Sequence, residues 1–227
     1  MRQRPSQTRS EIPPANFFHP GGRLIGGCFS PGKTPNYRMA TTTMPRPKAK
    51  RLWTFDELSA KMPETNQPTE LWDGELIMSP APRPSHQKIV YRFARHLEDF
   101  VTSRQLGEII LSPCDVVLSQ SRVVQPDIIY ISRARQGIIQ NQIRGVPDLV
   151  VEVISEGSWR RDRLDKKALY EQCALPEYWI VDPERRTIEV FVLKAGAYQL
   201  HCRAAGDEPA TSPLLEGFSL AFQQLEA

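Results

Sequence analysis

Apolar residues follow almost no periodic pattern before residue 52, and a regular one from there to the C-terminus. The first signal is TFDELSAKM at 54–62, where Thr54 stands three residues ahead of Glu57 as in a capping box and predicts a short helix. In TELWDGELIM at 69–78, two short apolar–polar alternations flank Asp73-Gly74, a dipeptide that accepts positive φ at both positions, which predicts a β-hairpin. Pro80, Pro82 and Pro84 stop the strand, and Ser85 is placed to cap the helix that follows. Ile89, Val90, Phe93, Leu97, Phe100 and Val101 recur at helical steps and predict a long amphipathic helix over 85–105.

Past Gly107 the period becomes that of strands, in EIILSPCDVVL (108–118), DIIYI (127–131) and DLVVEVI (148–154). Asp162 to Cys173 then contains neither Gly nor Pro and sets Leu164, Ala168, Leu169 and Cys173 at helical intervals, so a second helix is expected there, ending before Pro176. Two further strands, EYWIVD (177–182) and TIEVFVL (187–193), are separated by the turn residues PERR. The order helix, three strands, helix, two strands, behind an N-terminal hairpin, predicts an α/β fold with a mixed central sheet flanked by helices.

Charge divides the chain where the pattern does. Residues 1–51 hold ten Lys or Arg against Glu11 alone, a net of +9, whereas residues 52–227 hold 19 basic and 25 acidic residues, a net of −6. Eight of the 20 prolines also fall in the first 51 residues, so residues 1–50 are expected to form a disordered extension ahead of a domain at 51–227. Met39, opening MATTTMPRPKAK, is an alternative start. No apolar run approaches the ~18 residues of a membrane span, which excludes a transmembrane helix and a membrane partner from the expectations. Cys28, Cys114, Cys173 and Cys202 lack any paired CxxC spacing, so no zinc site or disulfide scaffold is read, and a reducing cytoplasm is the expected location. An acidic body cannot coat nucleic acid by bulk charge, so any DNA contact must be local.

The candidate chemistry starts at Glu152, whose neighbours Leu149, Val150, Val151, Val153 and Ile154 are apolar on both faces of the strand. A carboxylate buried there needs a cationic partner, either a buried basic side chain or a metal ion. The preceding strand begins at Asp127, and pairing of the two strands brings a second carboxylate near the first. Oxygen-only ligands of this kind suit Mg2+, or Mn2+ in its place. On the following helix Asp162, Lys166 and Tyr170 share one stripe, with Lys166 on the shielded side and Lys167 turned towards solvent. Trp179 and Tyr178 read as core.

ELWDGELIMSPAPRPSHQKI, QPDIIYI, PDLVVEVIS followed by DRLDKKALY, and PEYWIVDPERRTIEVF, in this order over residues 53–222, resemble the Uma-type family of the PD-(D/E)XK nuclease superfamily. The resemblance implies a restriction-endonuclease-like fold and metal-dependent hydrolysis of DNA phosphodiester bonds. It further implies that Asp127 is the PD aspartate, Glu152 the second acidic ligand, Lys166 the catalytic lysine displaced onto a helix, and Glu70 an acidic residue completing or supporting the metal site. Asp162, Tyr170 and His86 would stand behind these residues. The sequence departs from the simplest E-x-K pattern at Ile154, and from the family's Gly-Val turn at Cys173-Ala174-Leu175. Two other readings stay open: a catalytically silent relative that keeps the nuclease fold and binds a partner, and a hydrolase of RNA or small phosphate esters. A homodimer is compatible with all of them.

Overall fold

The computed structural model describes residues 51–61, 68–155 and 161–226, and of residues 161 and 162 the backbone alone. The expectations for residues 1–50 and for the alternative start at Met39 lie outside the described residues. The domain opens with α1 (Phe55–Lys61), whose capping box is reciprocal: the Glu57 N–H donates to Thr54 Oγ1 at 3.2 Å and the Thr54 N–H to Glu57 Oε2 at 3.3 Å. The hairpin follows as β1 (Thr69–Trp72) and β2 (Glu75–Met78), with Asp73 at φ 48° and Gly74 at φ 86° in the two turn positions. A long α2 (Pro84–Ser103) buries Val90, Phe93, Ala94, Leu97 and Val101, the stripe its sequence predicts. The cap differs from expectation. Pro84 occupies the first turn after Arg83 and no side chain caps the helix, because proline needs no N–H partner and its ring presets φ.

The chain then alternates between two sheets. β3 (Gly107–Leu111), β6 (Ile128–Ser132), β8 (Leu149–Val153), β9 (Glu177–Asp182), β10 (Thr187–Lys194) and β11 (Ala197–Ala205) form a sheet of order β11-β10-β9-β8-β6-β3. In this sheet the β8–β9 pair is parallel and the others are antiparallel, so it is mixed, as expected. The second sheet, of order β2-β1-β5-β4-β7, adds β4 (Val116–Ser119), β5 (Arg122–Val124) and β7 (Ile143–Arg144) to the hairpin. The single strand expected over EIILSPCDVVL is therefore two. The chain breaks at Ser112-Pro113, where proline cannot continue the ladder, and enters the other sheet as β4. A small pair, β12 (Pro209–Thr211) and β13 (Ser219–Ala221), closes the C-terminal segment.

Both faces of the six-stranded sheet are covered. On one, α2 packs over Leu149, Val151 and Val153 together with Trp179 and Val181. The other face carries Val150, Ile154, Tyr178 and Ile180 under α3 (Lys167–Gln172), with Val116 and Val124 of the second sheet against the same cluster. The parallel β8–β9 pair requires a crossover, and α3 lies within it. Residues Arg161–Lys166 ahead of α3 form a π-helical turn, not the α-helix expected from Asp162 onward. A π turn bonds i to i+5 and so advances less than 100° per residue, which rotates the inward set. Lys166, Leu169 and Tyr170 point inward, while Leu164 and Ala168, expected inside, are exposed.

Candidate active site

Burial of Glu152 follows from β8 itself, since every residue of Leu149–Val153 is buried. Its carboxylate has a partner. Lys166 Nζ lies 2.8 Å from Glu152 Oε1 and 3.2 Å from Glu70 Oε1, and the residues Glu70, Glu152 and Lys166 are 4 %, 3 % and 6 % exposed. Three elements meet at that ammonium group: β8 brings Glu152, β1 of the second sheet brings Glu70, and the last residue of the π turn brings the lysine. Tyr170, one turn on, donates its hydroxyl to Glu152 Oε1 at 2.7 Å. Burial, then the charges of Glu152 and Glu70, push the Tyr170 phenol well above its ordinary value, so it stays protonated and remains a donor.

Glu70 is held on both oxygens. Trp72 Nε1 donates to Oε2 at 3.1 Å, and the Gln125 N–H donates to Oε1 at 2.9 Å, beside Lys166. Trp72 lies two residues along the same strand, so both side chains leave the same face. The pattern recurs in β9, where Trp179 Nε1 donates to Glu177 Oε1 at 2.6 Å.

Asp127 stands at the entry to β6. The register pairs Ile128 with Val151, and continued by one residue it sets Asp127 across from Glu152. Asp127 Oδ2 accepts the Val153 N–H at 2.8 Å and lies 3.3 Å from His86 Nε2. His86 Nε2 is also 2.9 Å from the Val153 carbonyl oxygen. A carbonyl can only accept, so Nε2 carries the proton. His86 is no surface residue: its side chain is 11 % exposed, and it ties the start of α2 to the end of β8 beside Asp127.

The π turn is anchored a second time, one turn before Lys166. Arg163 Nη2 lies 3.2 Å from Asp182 Oδ2, and its Nη1 donates to Glu189 Oε2, so one guanidinium joins the ends of β9 and β10. Arg185 closes on Asp182 and Arg203 on Glu189. Burial alone would raise the Asp182 carboxyl, but hydrogen bonds from the Arg185 N–H and guanidinium and from Arg163 outweigh it and hold the group below its ordinary value.

Of the residues picked from the sequence, Glu70, Glu152, Lys166 and Tyr170 are in direct contact, and Asp127 with His86 forms a second group joined to the first through β8. The Asp162 side chain lies outside the described residues. Among the described residues no three His, Cys, Asp or Glu side chains gather closely enough to hold a metal ion. In kind the donor set suits a hard divalent cation, because Asp127 and Glu152 offer carboxylate oxygens alone. Glu70 is already engaged by three donors. Sequence reasoning missed Trp72, Arg163 and the backbone of Gln125 and Val153. The i, i+2 spacing of Glu70 and Trp72 was a readable signal, whereas the backbone contacts had none.

A family model described as "Putative restriction endonuclease" matches residues 55–223, which include every residue of this site. The chain belongs to the Uma2 family. Among solved structures it is similar to one described as a putative nuclease belonging to DUF820 from Anabaena variabilis ATCC 29413, at 20 % identity and a TM-score of 0.62, over 76 % of this chain and 96 % of that one. That likeness bears on the fold. Among curated proteins none matches the chain. No helix among the described residues is long and apolar enough to cross a membrane.

Proposed function

We propose that this chain hydrolyses DNA phosphodiester bonds, with Asp127 and Glu152 holding Mg2+, or Mn2+ in its place. The observation that carries the reading is the Lys166 ammonium group, buried between Glu152 and Glu70, with a third carboxylate, Asp127, at the entry to β6, across from Glu152 when the β6–β8 register is continued by one residue. A buried lysine facing two carboxylates is costly as a mere structural device, because apolar side chains of similar volume would pack there at no desolvation cost. The family match supports a nuclease.

When bound, the cation supplies positive charge against the phosphate oxygens. Lys166 orients the attacking water and offers a preorganised ammonium donor to the charge that develops on the phosphate. Glu70 steadies Lys166, and its three donors favour that supporting role over direct ligation. Tyr170 holds Glu152 by its hydroxyl proton, and the Val153 N–H with His86 fixes one oxygen of Asp127.

Asp127→Asn tests the assignment, because asparagine still accepts from the Val153 N–H while losing the charge. Supercoiled plasmid should be nicked in Mg2+ and left intact in EDTA, and the variant should cleave ~100-fold or more slowly at an unchanged melting temperature. Cleavage in EDTA at the same rate would remove the metal from the reading, and wild-type rates from the variant would remove Asp127.

A further inference from the structure

Charge along the body of the protein is segregated. Between Glu75 and Glu98 there is no acidic residue, while Arg83, Lys88, Arg92 and Arg95 give that stretch a net of +4 inside a body of −6, which leaves −10 for everything else. Most of the stretch is the first half of α2, whose inner stripe is buried against the sheet. Its outer face presents Lys88, Tyr91 and Arg95, all exposed, with Tyr91 at 62 %. None of the three has a hydrogen-bond or ion-pair partner among the described residues. Arg95 leaves the acids one turn on, Glu98 and Asp99, without an ion pair, and Glu98 instead accepts from Thr102 Oγ1 at 2.9 Å.

Beside this face a groove of about 230 Å3 is lined by Tyr91, Arg92, Arg95, His96 and Gln224. Arg92 is fixed there, since its Nη1 donates to the Leu225 carbonyl at 2.9 Å. The same helix begins at the candidate active site, where His86 touches Asp127.

We propose that the outer face of α2 is a DNA-backbone docking surface, with Lys88 and Arg95 on phosphates and Tyr91 packed between them. The proposal rests on the nuclease reading and names where the substrate is held. Lys88 and Arg95 lie seven residues apart, about 10.5 Å along the axis, which is about three steps of a DNA strand at 3.4 Å each. A tyrosine between unpaired cations suits a duplex backbone, where the two cations meet phosphates and the exposed phenol hydroxyl donates to a phosphate oxygen between them. An acidic protein surface would instead leave the ring without a role and would meet the rest of the body as a like charge. The link to the candidate site is the start of α2, where His86 lies 3.3 Å from Asp127, so the face runs along the helix from that end.

The test is binding of a fluorescent 30-base-pair duplex by the full chain in EDTA, followed over a range of salt concentrations, with plasmid cleavage in Mg2+ measured separately. Lys88→Ala/Arg95→Ala should weaken binding about tenfold or more at low salt, and lower the slope of log K against log salt by about 2, one for each lost phosphate contact. Its melting temperature should stay the same, because both side chains are exposed. Lys61→Ala/Lys194→Ala removes equal charge elsewhere and should leave the slope unchanged. Tyr91→Ala should weaken binding with the slope retained. The surface assignment fails if the α2 pair and the control pair lower the slope equally, or if the α2 pair changes nothing. An α2 pair that loses binding beside an Asp127→Asn variant that cleaves normally upholds the surface and overturns the catalytic assignment. The reverse outcome overturns the surface alone.

Discussion

Lys166 and Lys167 are adjacent in sequence and opposite in circumstance. Lys166 is buried between Glu152 and Glu70, whereas Lys167 is partly exposed with its Nζ 3.9 Å from the centre of the Phe191 ring. Removing Lys166 leaves two buried carboxylates without their cation, a change that costs about 3 to 5 kcal/mol. A cation–π contact at a partly exposed site is worth about 0.5 to 1 kcal/mol. Lys166→Ala should therefore lower both stability, read from urea denaturation at neutral pH, and plasmid cleavage, whereas Lys167→Ala should cost under ~1 kcal/mol and leave cleavage near wild type. Glu70→Gln combined with Lys166→Ala should be more stable than Lys166→Ala alone, since one of the two stranded charges is gone. Equal effects of the two single lysine changes would show that the π turn does not select between them.

At the scale of elements, two strands carry the same Glu-x-Trp pairing to different ends. In β1 it holds Glu70 for the lysine. In β9 it helps hold Glu177, which also accepts from Ser212 Oγ at 2.6 Å and the Leu214 N–H at 2.9 Å and so pins the C-terminal segment to the sheet. Burial pushes the Glu177 carboxyl above its ordinary value of 4.5, against the lowering effect of those hydrogen bonds. A raised folded value means that the native state binds the proton more tightly than the unfolded chain. The stabilisation this group contributes is then full below pH 4.5 and is lost as pH rises through the raised folded value. Wild-type stability, read from urea melts between pH 4 and 8, should fall in that window relative to Glu177→Gln, whose glutamine does not titrate. Parallel curves for the two proteins would show that Glu177 does not titrate differently on folding.

For the molecule as a whole, a ligand that binds the folded state alone stabilises it by mass action, by about 2.7 kcal/mol at one hundred times the dissociation constant. A protein of this size gains roughly 2 to 4 °C per kcal/mol, so saturating Mg2+ should raise the melting temperature by roughly 5 to 10 °C. Asp127→Asn should lose most of that rise. A rise of the same size in both proteins would place the cation elsewhere.

The pattern of apolar positions alone determined the hairpin at Asp73-Gly74, the inward stripe of α2, the doubly buried β8 and the core placement of Tyr178 and Trp179, because each rests on a period of 2 or 3.6 set by local geometry. It also marked Glu152 as a buried charge that needs a cation, and the motifs, read through their resemblance to a family, supplied the other site residues. Chain order could not say that Glu70, on a separate sheet, shares Lys166 with Glu152 across some 80 residues, nor that EIILSPCDVVL divides between two sheets. Those are choices among long-range strand pairings, which leave no local period. The π turn was equally hidden. Nothing in DRLDKKALY distinguishes it from an α-helix, and what sustains it is tertiary: Arg163 clamped to Asp182 and Glu189 and Lys166 clamped to Glu152 and Glu70, both set against the same face of the sheet. The sequence supplied the charges, and packing decided which of them meet.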